Sequence, residues 1–125
     1  MGEDALGPQF EQQVAHRVRN ALTDSDRNPP YRGDPNPLTG HCYVASEAAY
    51  HVLGGKDAGW KPMFVRHEGA PHWFLRNERS GQDLDITAGQ FRTTPDYAAA
   101  KGKGFLTRDP SKRALSVIER MRGDQ

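Results

Sequence analysis

The stretch from Cys42 to Thr87 constrains the fold more than any other part of the chain. It opens with a helix over Cys42 to Leu53, whose apolar stripe of Val44, Ala45, Ala48, Ala49 and Val52 is built from small residues. Gly54-Gly55 supplies the stop. Three short strands are expected next, at Lys61 to Arg66, His72 to Arg76 and Gln82 to Thr87. Gly69-Ala70-Pro71 marks the first turn, and Asn77-Glu78-Arg79-Ser80-Gly81 reads as a polar hairpin loop. One helix followed by paired strands predicts an α+β fold, with the helix packed on a small antiparallel sheet.

The flanks add less. Phe10, Val14, Val18, Ala21 and Leu22 recur at helical spacing and predict an amphipathic helix over Pro8 to Leu22. Residues 23–41, rich in Pro, Asp, Asn and Gly, read as a long irregular loop leading straight into Cys42. Such loops usually have a function or lack order. Thr39 is a candidate cap for the Cys42 helix. Near the C-terminus a short helix is expected at Pro95 to Ala100, and a basic one at Pro110 to Met121 capped by Asp109 or Thr107. With 125 residues, 35% of them hydrophobic, the chain suits a single domain with a small core.

Charge and cysteine usage narrow the class. Net charge is +1, so nothing drives the whole chain toward nucleic acid or membrane. The single cysteine excludes an internal disulfide, and the N-terminus lacks the basic and apolar regions of a signal peptide. No apolar run approaches the ~18 residues that span a bilayer. These features predict a cytoplasmic protein. Lys101, Lys103, Arg108, Lys112, Arg113, Arg120 and Arg122 face only Asp109 and Glu119 in the last segment. That run reads as a solvated face or as a docking surface for an anionic partner.

The chemistry centres on Cys42, His72 and Asp85. A reactive thiol needs a setting that favours the thiolate, a base in contact, and a group that orients the base. A helix start gives Cys42 the first. His72 opens a strand, and Trp73 beside it is an aromatic able to shield the imidazole. If Glu78 to Gly81 form a four-residue loop, Asn77 opposes Gln82, Phe74 opposes Asp85 and His72 opposes Thr87. His72 and Asp85 are then diagonal neighbours on one face, and a two-residue loop would put them directly opposite. Asp83 faces the same side one pleat further off and is the reserve.

Gly40-His41-Cys42, His72-Trp73 and Asp85-Ile86-Thr87 resemble the core of the papain-like and transglutaminase-like superfamily of cysteine enzymes. Asn36-Pro37-Leu38-Thr39-Gly40-His41-Cys42 and Asp85-Ile86-Thr87-Ala88-Gly89-Gln90-Phe91 are similar to motifs of the YunG-like group of small bacterial and phage proteins. The resemblance spans Asn36 to Phe91. It implies a papain-like core with Cys42, His72 and Asp85 as a catalytic triad, and substrate contacts from His41, Trp73 and Asn36. It also implies hydrolysis of an amide or isopeptide-type bond in a peptide, protein or small amide, or transamidation. An inactive relative serving as a binding module is the alternative. Papain-type enzymes complete the oxyanion hole with an upstream Gln. Here Gln12 and Gln13 lie on the first helix, so the Cys42 N–H with a donor from the Asn36 to His41 loop is the expected substitute.

Neither His67 with His72 nor His41 with His51 has zinc-site spacing, so no metal and no cofactor are expected. Gly102-Lys103-Gly104 lacks the full phosphate-loop pattern.

Overall fold

A computed structural model describes residues 2–27, 29–36 and 40–123, with side chains described for 10–27, 29–36 and 40–122. Three helices pack on one side of a four-stranded antiparallel sheet. The helices are α1 (Gly2–Ala21), α2 (Cys42–Val52) and α3 (Lys112–Gly123). The strands are β1 (Trp60–His67), β2 (Ala70–Asn77), β3 (Asp83–Leu84) and β4 (Lys101–Gly102), in the order β3-β2-β1-β4. The fold is α+β with Cys42 at a helix start, as the sequence predicts. Thr39, the expected cap, lies outside the described residues.

The main core sits between the helices and the sheet. Val14, Val18 and Ala21 of α1 meet Ala45, Ala48 and Ala49 of α2 and Val117, Ile118 and Met121 of α3, over Trp60, Leu75 and Leu84 of the sheet. Alanines on α2 let both neighbouring helices approach it closely. A second cluster, Met63, Val65 and Phe74, lies on the opposite face and is covered by Tyr97 and Ala100. The sheet is therefore buried on both sides, and strand alternation sends Phe74 to one cluster and Leu75 to the other.

Several boundaries differ from expectation, each for a local reason. The first turn is Glu68-Gly69, with φ of 50° and 78°, and Ala70 and Pro71 already belong to β2. That left-handed pair matches the twist of a two-residue hairpin. The third strand keeps only Asp83 and Leu84 in the ladder, because the chain turns at Thr87 into a 3₁₀ turn over Ala88–Gln90. The expected helix at Pro95 to Ala100 is a 3₁₀ turn, Tyr97–Ala99, followed by β4. The flexible end of the Lys61 side chain on β1 lies over Gly102 of β4, in the space a Cβ would take. Asp109 and Thr107 do not cap α3. Ser111 does, its Oγ accepting from the Ala114 N–H at 3.2 Å, while buried Glu47 of α2 accepts from the Ser111 N–H and hydroxyl, each at 2.8 Å.

The loop before Cys42 is shaped rather than slack. Buried Arg27 donates to the carbonyls of Tyr31 at 3.0 Å, Asp34 at 2.7 Å and Asn36 at 2.8 Å. One guanidinium thus gathers three carbonyls of the segment that follows the short 3₁₀ turns at Asp24–Asp26 and Pro29–Tyr31. Buried Asp26 ties this loop to α3 through Arg120, at 2.7 and 2.9 Å.

Candidate active site

Cys42 is the first residue of α2, so its backbone N–H and those of the next residues have no acceptor within the helix. Two features fix that helix start. Gly40 has φ of 80°, and a Cβ on it would lie 2.5 Å from Tyr31 Cβ, so only glycine lets Tyr31 lie against this turn. His41 is buried, its Nε2 lies 2.8 Å from the Thr23 carbonyl oxygen, and its own carbonyl accepts from the Ala45 N–H.

His72 is fully buried on β2, on the sheet face away from the helices, at the edge where α2 begins. Its Nε2 donates to Asp85 Oδ2 at 2.6 Å, and the Tyr97 hydroxyl donates to the same oxygen at 2.9 Å. The other ring nitrogen, Nδ1, lies 3.3 Å from the Gln90 side-chain amide, and Cys42 is near enough to the ring to favour its charged form. The thiol also lies 4.0 Å from the Pro71 carbonyl oxygen. The structure thus brings Cys42, His72 and Asp85 together, with His72 in the middle. Their placement follows from the hairpin, since Leu75 pairs with Leu84 and Arg76 with Asp83, the register of a four-residue loop. Asp83 is held elsewhere, in an ion pair with Arg76 at 2.6 Å.

Burial alone would push the His72 pKa down. The hydrogen bonds and negative charges of Asp85 and Cys42 outweigh it, and the pKa is pushed up to about 9. The imidazolium is thus the favoured form at neutral pH. Tyr97 is moved upward, first by burial and then by its bond to Asp85, so it stays protonated and donates.

Around these groups runs a cleft of about 250 Å³ lined by Tyr31, Gly40, Cys42, Glu68, Ala70, Pro71, Trp73, Gln90 and Phe91. Trp73 forms part of its wall, edge-on to Tyr43 at 4.9 Å and stacked on Phe105 at 5.7 Å. It does not shield His72, because neighbouring strand residues point to opposite faces. Phe91 takes that role, edge to face at 4.7 Å, with Phe74 stacked at 6.3 Å.

The other expected contacts lie elsewhere. His41 sits beneath the cleft on Thr23, and Asn36 serves the Arg27 cluster, its N–H donating to Asp34 Oδ1 at 2.8 Å. Gln12 and Gln13 are exposed on α1, away from the cleft lining. Arg120 of the basic segment pairs with Asp26, which offsets one charge of any anion-docking face, while exposed Arg113 donates to the Arg27 carbonyl at 3.0 Å. Among the described residues no group of three His, Cys, Asp or Glu side chains is placed to hold a metal ion.

Four residues of the site had no assigned role in the sequence. Gln90 and Phe91 stand at the end of the Asp85-Ile86-Thr87 motif, which was their only signal. Tyr31 and Tyr97 had none, because no local pattern marks a residue that reaches the site from a 3₁₀ turn. The chain has no match among protein-family models, curated proteins or solved structures. No helix among the described residues is long and apolar enough to cross a membrane.

Proposed function

We propose that this protein is a thiol hydrolase of papain-like type that cleaves an amide or isopeptide-type bond through an acyl-enzyme on Cys42. One observation carries the reading: the buried His72 ring is bonded by Asp85 at 2.6 Å and stands beside Cys42, and the two together hold its pKa up at about 9. A histidine kept only for packing has no need of two such partners, and burial without them would favour its neutral form.

Each group has one role. Cys42 Sγ attacks the substrate carbonyl carbon while its proton resides on His72 Nδ1. The tetrahedral adduct collapses, the C–N bond breaks, and His72 returns a proton to the leaving amine. Asp85 holds the ring orientation and stabilises its charge. Water then attacks the thioester with His72 as base. An amine in place of water makes the same site a transamidase. The open cleft beside Cys42 and its aromatic walls suit a peptide, protein or small-amide substrate.

Incubation of the protein with cell lysate, followed by intact-mass measurement, tests the reading. An acyl adduct localised to Cys42, absent in Cys42→Ser and depleted in His72→Ala, is the expected result. A wild type that carries no adduct under any condition and shows an inert Cys42 would establish a binding module instead.

A further inference from the structure

The cleft beside Cys42 has one wall residue whose charge the mechanism leaves without a use. Glu68 lines it together with Tyr31, Trp73 and Phe91, and among the described lining residues there is no lysine, no arginine and no other carboxylate. We propose that Glu68 and these aromatic walls form a cation subsite, so that the substrate of Cys42 carries an ammonium or guanidinium group near the bond that is cleaved. The inference rests on the thiol-hydrolase reading and deepens it by naming the substrate class.

The carboxylate is already half committed. Its Oε2 accepts from the backbone N–H groups of Arg92 at 3.0 Å and Thr93 at 2.9 Å, and from the Thr93 hydroxyl at 2.7 Å. Its Oε1 has only the Arg92 N–H, at 3.4 Å. One oxygen thus fixes the group against the chain, and the other keeps its capacity to accept. Those bonds ask for an acceptor and not for a charge, since a glutamine oxygen would take them as well. The charge is nevertheless secured, because the Thr93 hydroxyl and then the two backbone N–H groups hold the Glu68 carboxyl below its usual pKa.

Nothing in the chain neutralises that charge in full. Among the described residues the one ionic neighbour of Glu68 is His67, at 3.6 Å. Arg66 and Arg92, the basic residues closest to it along these segments, are exposed and do not line the cleft. Glu68 also stands at φ 50° ahead of Gly69 at 78°, in a turn where asparagine or aspartate is the low-cost choice. A longer acid is kept there at a cost in backbone strain.

The rings supply the other half of the subsite. Aromatic faces attract cations, and aromatic walls are a recurrent setting for alkylammonium groups. One wall already shows the preference: Lys103 Nζ lies 4.5 Å from the Phe64 centroid and 5.7 Å from that of Trp73, the two rings packing edge to face. His72 does not oppose a cationic guest, because Asp85 bonds it at 2.6 Å and offsets its charge. A cleft of about 250 Å³ has room for one such side chain, with the scissile carbonyl at Cys42 and the cation toward the β1–β2 turn.

Two capped amino acids separate charge from fit. Nα-acetyl-lysinamide and Nα-acetyl-norleucinamide share a linear side chain and differ in its terminal ammonium. Each is titrated at neutral pH for its protection of Cys42 from iodoacetamide. In the wild type the lysine compound is expected to protect at a concentration about fivefold lower. In Glu68→Gln, which keeps an acceptor oxygen, the two should protect at concentrations within about twofold of each other. Equal protection by both in the wild type, or none by either, would overturn the proposal. So would a weakening of both in Glu68→Gln with their ratio kept, which would make Glu68 a support for the Arg92–Thr93 segment alone. A wild-type Cys42 inert to iodoacetamide would instead mark failure of the thiol-hydrolase reading and take the proposal down with it.

Discussion

At the scale of single residues, the site turns on which carboxylate reaches His72. Asp85 and Asp83 lie two positions apart on one sheet face, and each has one strong partner: Asp85 the imidazole, Asp83 the Arg76 guanidinium. The diagonal relation that favours Asp85 could be worked out from loop length alone, so this choice was legible in the sequence. Asp85→Asn keeps the shape of the side chain but removes the charge that balances the imidazolium. It is expected to lower the acylation rate of Cys42 by at least ~10²-fold. Asp83→Asn disrupts a partly exposed ion pair and should leave that rate within about twofold. Single-turnover acylation of the two variants measures the contrast, and equal losses would deny Asp85 its special role. Tyr97 was not legible, since it enters from a 3₁₀ turn in a segment with no periodicity.

At the scale of elements, the loop before α2 does the positioning. Its composition announces a long irregular connection, and nothing in that composition singles out Arg27 among the other basic residues. Burial does, because a guanidinium bonded to three carbonyls from one loop defines the path of that loop. Arg27→Met retains the stem and leaves those carbonyls without their donor. A loss of ~2–4 kcal/mol of stability is expected, read from denaturant unfolding. Cleavage between residues 22 and 41 should become the first event in limited proteolysis. A variant as stable and as resistant as wild type would show that the loop is held by something else. The helices and the β1–β2 hairpin, by contrast, follow from patterns the sequence displays. Their ends differ from expectation where a single polar contact decides, as Ser111 and Glu47 do at the start of α3.

At the scale of the whole molecule, the fold brings a helix start and a strand start to one corner, with a cleft between them. The sheet is covered on both faces, so His72 is dry on the side that Phe74 and Phe91 cover, while Cys42 remains at the cleft surface. That asymmetry is what the α+β arrangement contributes, and the order Cys, His, Asp along the chain announced it before any distance was known. We expect Cys42 to act as one of a pair with His72, whose ring stays positive until the pH reaches about 9. A positive ring attracts an anionic reagent and is indifferent to a neutral one, and it loses its charge as the pH rises through that value. The ratio of Cys42 alkylation rates with iodoacetate and iodoacetamide, followed from about pH 6 to about pH 10, measures this directly. The wild-type ratio should stand several-fold above that of His72→Ala at neutral pH and fall to meet it above pH ~9. Identical ratios in the two proteins across the whole range would contradict the pair.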